Sequence, residues 1–240
     1  MLMKEHHCPP DKSEEKCRFK YVTMDEEGPE LGIAQWPKEG NAVSGDTVAA
    51  TILTEDRWLF VLSDGMGSGE EAQKESSGVV RLLEQFLLLD FTLQEAVEMV
   101  NSLLLLKGEE RFATVDLALL DLANKNLELA KIGAVPSLLI NQGNCRVLES
   151  NSLPVGILEE IPVETVSLPL ETGTVLIMTT DGVWQGPAND QREGWLPEYV
   201  QGLWHLSAKD LAQRIVEHSL IMHGGKAEDD LSVFVVRLDW

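Results

Sequence analysis

The chain has 240 residues, 44% of them hydrophobic, and carries 40 acidic against 19 basic side chains for a net charge of −21. That length suits one domain with a sizeable core, while the acid excess and the lack of a basic stripe speak against a nucleic-acid binder. No apolar run approaches the roughly 18 residues of a membrane-spanning helix.

Residues 1–25 read as a flexible leader or interdomain linker and 26–240 as the folded domain. The leader is charged and holds no apolar signal-peptide core, so the chain is expected in the cytoplasm. Cys8, Cys17 and Cys145 are an odd number with no disulfide framework. His6, His7, Cys8 and Cys17 lack a second Cys-x-x-Cys pair and read as solvated leader rather than a zinc site.

Glu26 to Gly40 reads as a loop region because of its Gly and Pro content. Thr47–Thr54 and Arg57–Ser63 are β-rich and joined by Glu55-Asp56, which predicts a hairpin. Two amphipathic helices follow, with Val79, Leu82, Leu83, Phe86 and Leu87 on one face of the first and Leu93, Ala96, Val97, Val100 and Leu104 on one face of the second. Ser68-Gly-Glu-Glu71 and Thr92-Leu-Gln-Glu95 both fit a capping box. Short strands are expected at Thr114–Asp121, Leu127–Ile132, Ser137–Asn141 and Cys145–Leu148, separated by turns at Asn124-Lys-Asn126 and Gln142-Gly-Asn144. Val175–Thr180 is a further strand, Ser207-Ala-Lys-Asp210 caps a helix to about Met222, and Ser232–Leu238 is the last strand. Many strands with a contiguous helix pair, rather than alternating βαβ units, predict an α+β fold of stacked antiparallel sheets.

The chemistry is carried by one repeated element. An apolar strand ends in Asp64-Gly65, and another ends in Asp181-Gly182. A glycine there lets its own carbonyl approach a ligand or ion closely. Asp46 lies just before the first strand of the hairpin, and Asp229 and Asp230 lie just before the last strand. Four acidic clusters at strand ends, if they converge, form an oxygen-only site for magnesium or manganese. Taken singly, each Asp-Gly is an ordinary turn dipeptide. Gly65-Met-Gly67-Ser-Gly69 is not a dinucleotide loop, because Glu70 stands where the third glycine belongs and no βαβ unit follows. A dehalogenase-type phosphatase would need a second Asp at position 66, which is Met66. No Gly-x-Ser-x-Gly elbow occurs, His218 and His223 are five apart, and Trp184, Trp195 and Trp204 read as core or flap residues.

Ser44-Gly-Asp46, Ser63-Asp-Gly-Met-Gly-Ser-Gly69, Asn151-Ser-Leu-Pro-Val-Gly156, Thr180-Asp-Gly182 and Asp229-Asp-Leu-Ser232 occur in the order found in a known family. Together they resemble the PPM (protein phosphatase 2C-like) superfamily, and within it the phosphatase domain of the stage II sporulation protein E family, over roughly Glu30 to Leu238. The resemblance implies a four-layer αββα sandwich and a serine/threonine phosphatase that uses two Mn2+ or Mg2+ ions. Asp64 would bridge the ions and Gly65 would lend its carbonyl to one of them. Asp46 would help hold the second ion, and Asp181 and Asp229 the first, with Asp229 preferred over Asp230. The basic phosphate-gripping residue of eukaryotic members has no counterpart near Asp46. The substrate would be a phosphorylated anti-sigma factor antagonist, whose dephosphorylation controls sigma factor activation in sporulation. The helix pair of about Glu70 to Lys107 would act as a regulatory switch, and a homodimer through regulatory regions is allowed. Relatives usually carry an N-terminal membrane region, so a longer parent could be anchored. The competing readings are a catalytically inactive protein-binding module of the same fold and a small-molecule phosphatase.

Overall fold

A computed structural model describes residues 2–7, 18–22, 28–106, 111–185 and 194–238. A small antiparallel pair, β1 (Leu2–His7) and β2 (Arg18–Val22), forms a two-stranded sheet of its own. The domain then runs β3 (Glu30–Trp36), β4 (Thr47–Ile52), β5 (Arg57–Gly65), α1 (Glu70–Leu88) and α2 (Leu93–Leu106). It continues with β6 (Ala113–Asp121), β7 (Asn126–Ile132), β8 (Ser137–Asn141), β9 (Asn144–Leu148), β10 (Thr165–Pro169) and β11 (Thr174–Thr179). The last elements are α3 (Asp181–Trp184), α4 (Trp195–Gln201), α5 (Ala208–Met222) and β12 (Leu231–Leu238).

Two five-stranded antiparallel sheets stack, in the orders β10-β7-β6-β5-β4 and β3-β12-β11-β8-β9. Their sequences explain the stacking, because the central strands are apolar on both faces. In β5, Trp58, Phe60 and Leu62 enter the core between the sheets while Leu59 and Val61 face α1 and α2. In β12, Phe234, Val236 and Leu238 meet that same inner core, whereas Leu231, Val233 and Val235 pack under α4 and α5. Strict alternation of side chains along a strand makes these three apolar layers inevitable once both faces are covered. The result is the expected αββα sandwich. Among the described residues, no helix is long and apolar enough to cross a membrane.

Three local expectations are corrected or extended. The loop expected over Glu26 to Gly40 contains β3, which pairs with β12 from Glu30↔Arg237 to Trp36↔Leu231. Its Gly32 is not a loop signal: a Cβ there would sit 1.9 Å from the Ala208 carbonyl oxygen, so glycine admits the start of α5. The Ser68 capping box does not form. The helix starts one residue later than such a cap requires, after Gly69 at φ 77°, with no side-chain cap. By contrast Thr92 and Glu95 do exchange the paired bonds, Glu95 N to Thr92 Oγ1 at 3.2 Å and Thr92 N to Glu95 Oε2 at 2.9 Å. Ser207 Oγ likewise accepts from Asp210 N at 3.0 Å at the start of α5. Strand β10 and helix α4 are not among the expected elements, because both carry too few periodic residues to announce themselves.

Candidate metal and active site

All the singled-out acids sit at one end of the sandwich. Asp46 precedes β4, Asp64 ends β5 beside Thr114 at the start of β6, Asp181 follows β11, and Asp229 precedes β12. Because neighbouring strands run antiparallel, the start of one strand and the end of the next meet at the same edge. The side chains interact: the charges of Asp46, Asp181 and Asp229 all act on Asp64.

Asp46 is 3% exposed. Its Oδ2 accepts a hydrogen bond from Thr180 Oγ1 at 3.0 Å, and its amide donates to Ser44 Oγ at 3.2 Å. Its Oδ1 is buried without a hydrogen-bond partner. Burial pushes the Asp46 carboxyl up to about 6, against the pull of the neighbouring Ser232, Asp64 and Thr180 side chains. Burial and then the neighbouring charges of Asp46 and Asp181 push Asp64 up to about 9. Asp181 is also raised, first by burial and then by Asp229, while amides at the start of α3 and the Lys38 charge draw it back. The common cause is physical: carboxylates removed from water and crowded together lack counter-charge.

Asp229 and Asp230 separate cleanly. Asp230 is 3% exposed and fully engaged, with Oδ1 accepting from Lys38 N at 2.7 Å and Oδ2 from Gly45 N at 2.8 Å. It fastens the segment 38–45 to β12. The Asp229 side chain is half exposed; its Oδ1 accepts from the Asp230 amide at 2.9 Å and lies 3.9 Å from Lys38 Nζ. Of the two, Asp229 is the one that keeps oxygen capacity for a ligand.

The glycines of the motifs are where other elements press in. A Cβ on Gly65 would lie 2.3 Å from the Ala72 carbonyl oxygen of α1, and one on Gly45 would lie 2.7 Å from Ala72 Cβ. A Cβ on Gly182 would lie 2.4 Å from the Asp230 carbonyl oxygen. Ala72 therefore wedges α1 against both Gly45 and Gly65 on the first sheet. Ser76, one turn on, donates to the Gly45 carbonyl at 2.6 Å and shares a 2.7 Å bond with Thr47 Oγ1.

The donor set suits a hard divalent cation. Every candidate ligand is an oxygen, Asp46 Oδ1 is an orphaned buried acceptor, and the raised carboxyls are those a dication would return to the charged form. Among the described residues, no group of three or more His, Cys, Asp or Glu side chains stands placed to hold a metal ion by itself. Magnesium needs none, since it keeps several waters and binds through one or two carboxylates. Next to these acids lies a cleft of about 210 Å³ lined by Asp64, Thr114, Asp116, Asp181 and Gln185, among others.

Sequence reasoning passed over Thr180, Ser232, Gln35 and Asp116. Thr180 Oγ1 accepts from Ser232 N at 3.1 Å while donating to Asp46, and Gln35 Nε2 donates to Ser232 Oγ at 2.9 Å. Thr180 and Ser232 stood inside the quoted motifs; their position beside each aspartate was the available signal. Asp116 stood out as a charge within an apolar strand. His6, His7, Cys8 and Cys17 lie outside the residues whose side chains are described. His218 stacks on Tyr199 at 4.1 Å between ring centroids, and Trp195 is buried, so both are packing residues.

A family model described as stage II sporulation protein E (SpoIIE) matches residues 54–239. Stage II sporulation protein E of Bacillus subtilis (strain 168) is 33% identical over 210 residues, covering 87% of this chain and 25% of that protein. The Priestia megaterium protein of the same name is 34% identical over 211 residues, covering 87% of this chain and 36% of that one. This chain thus spans between a quarter and little more than a third of those relatives. The solved PP2C phosphatase domain of SpoIIE from Bacillus subtilis, with a fragment of its regulatory domain, superposes with a TM-score of 0.82 at 32% identity, over 88% of this chain and 62% of that one. With most of its length matched, the chain belongs to the stage II sporulation protein E family, in the part that is similar to its PP2C phosphatase domain.

Proposed function

We propose that this chain is a manganese- or magnesium-dependent protein serine/threonine phosphatase that removes a phosphate from a serine of an anti-sigma factor antagonist, and so controls sigma factor activation in sporulation. The observation that carries the reading is the meeting of Asp46, Asp64, Asp181 and Asp229 at one end of the sandwich, short of counter-charge. Asp64 would bridge two ions with the Gly65 carbonyl on one of them, Asp46 would serve the second, and Asp181 and Asp229 the first. When bound, such ions supply a water that is nucleophilic at neutral pH and neutralise charge on the phosphoryl group.

The protein's own residues provide orientation. Thr180 holds Asp46 by one oxygen and leaves Oδ1 free. Asp230 pins the Gly45 loop to the last strand, which fixes Asp46 relative to Asp229. Burial of Asp46 and partial burial of Asp64 reduce the screening of their field by bulk water. Lys38, at the rim beside Asp229, is a cation near the entry for a phosphoryl group.

The wedge of Ala72 between Gly45 and Gly65 supports regulation through α1 and α2. Rotating that pair moves the contact that seats Gly65, and with it the occupancy of one metal position. Equal manganese affinity in active and inactive states would argue against such a switch.

The test is hydrolysis of para-nitrophenyl phosphate with manganese, with EDTA, and by Asp64→Asn. Turnover that needs manganese and disappears in the variant supports the reading; undiminished turnover in Asp64→Asn with manganese still bound overturns it. A phosphorylated anti-sigma antagonist hydrolysed no better than a short phosphoserine peptide would remove the proposed substrate while leaving the chemistry.

A further inference from the structure

Asp116 and Lys131 are direct register partners on β6 and β7, and Ser137 opens β8 in the other sheet. They are 1%, 5% and 1% exposed. Lys131 Nζ donates to Asp116 Oδ2 at 2.5 Å and to Ser137 Oγ at 2.8 Å, and Ser137 Oγ donates to the same Asp116 oxygen. Both donors therefore fall on Oδ2. Oδ1 of Asp116 is buried and has no hydrogen-bond partner.

This arrangement does not serve stability. Replacing a buried ion pair by apolar side chains is often neutral or stabilising, and an unmet buried acceptor costs about 1–3 kcal/mol. Its position gives the reason. Thr114 pairs with Asp64, and Asp116 lies two residues further along β6 and so on the same face. That is the inner face, where Ala118 and Leu120 follow it into the core between the sheets. Asp116 lines the same cleft as Asp64 and Asp181. A hydrogen-bond donor reaching Oδ1 from the cleft side would satisfy it, and the waters retained by an oxygen-ligated divalent cation are such donors.

We propose that Asp116 is a positioning residue for the hydration shell of the ion held by Asp64 and Asp181: its Oδ1 accepts a hydrogen bond from a water on that ion, while Lys131 and Ser137 hold its Oδ2. The proposal rests on the metal-dependent phosphatase reading and adds to it a residue outside the ligand set. Outer partners of this kind are worth about 10–100-fold in metal affinity.

The test titrates Mn2+ into the whole chain by calorimetry and reads water-proton relaxation from the bound ion. In Asp116→Asn the side-chain oxygen stays with Lys131 and Ser137, which turns an NH2 donor toward the cleft in place of an acceptor. The Mn2+ Kd then rises about 10–100-fold, and the relaxation enhancement per bound ion changes. The double variant Asp116→Leu with Lys131→Met removes both charges, so that it folds even where the single variant does not, and shows the same weakening with a melting temperature near that of the parent. Parental Kd and relaxation in either folded variant overturn the proposal while the phosphatase reading stands. Failure of the parent chain to bind Mn2+ at all overturns both.

Discussion

Asp64 sits within β5, still paired across to Thr114 of β6, whereas Asp181 has left β11 and opens the short helix α3. Both are followed by a glycine that another backbone carbonyl presses upon, from Ala72 of α1 in one case and from Asp230 in the other. The same dipeptide thus meets two different neighbours. Gly65 faces the long helix α1, while Gly182 faces the root of a central strand. Their acids differ accordingly: Asp64 is pushed to about 9 by burial and by three surrounding carboxylates, while helix-start amides and Lys38 moderate Asp181. The two halves of the acidic cluster are thus braced differently, by a helix on the first sheet and by the segment leading into a central strand on the second.

The largest effect should separate the two aspartates. On the roles proposed above, Asp64→Asn is expected to lower manganese-dependent turnover by about 10³-fold or more, and Asp181→Asn by about 10²-fold, since a ligand shared by two ions would serve both and an unshared one only its own. Equal losses would erase the distinction.

Next comes pH. Without a divalent cation, Asp64 at about 9 in the folded chain binds a proton that the unfolded chain, near 3.8, has released. The stability tied to that proton is fully present below about pH 4 and is lost as pH rises through 9. Between pH 6 and 9 the loss is at most about 4 kcal/mol, at about 1.4 kcal/mol per unit for one proton. Thermal melts in EDTA should fall over this range, and added Mn2+ should flatten the curve with proton release. A flat curve in EDTA would mean that the carboxylates are not crowded as described.

The glycines offer a finer test. Gly65→Ala and Gly182→Ala should each cost about 1–3 kcal/mol by overpacking, measured by urea denaturation. Only Gly65→Ala, by pushing α1 outward, should lower activity by more than its stability loss explains. The smallest effect belongs to Asp230→Asn, which weakens two charge-assisted bonds to Lys38 N and Gly45 N. It should cost about 1–2 kcal/mol and leave more activity than Asp229→Asn. The reverse order would make Asp230 the ligand.

Much of this architecture was legible because its signals were local. The doubly apolar strands Arg57–Ser63 and Val175–Thr180 could only be central, and the Thr92 cap announced α2. Gly32 misled, because a glycine that admits a neighbouring helix reads the same as one in a loop. Ser68 misled because the chain turns at Gly69 with a backbone conformation that leaves the serine outside the first turn. The aspartates were found from their strand-end placement. The residues that orient them were not, because Thr180 donating to Asp46 spans 134 positions and no sequence window contains both. Asp116 and Lys131, 15 apart, became partners only through the register of β6 against β7.

Strand β12 lies between β3 and β11, not at an edge, and it carries Asp230 and Ser232 into contacts with residues 35–46. Residues 30–36 are therefore made long before the strand that joins them to residues 174–179. Pairings of such sequence separation are slow to form, and until this one forms, Asp46 and Asp64 have no Asp229 opposite. Residues 30–179 alone therefore lack the strand that sets Asp229 beside Asp46 and Asp64, and the acidic cluster closes only when β12 is in place.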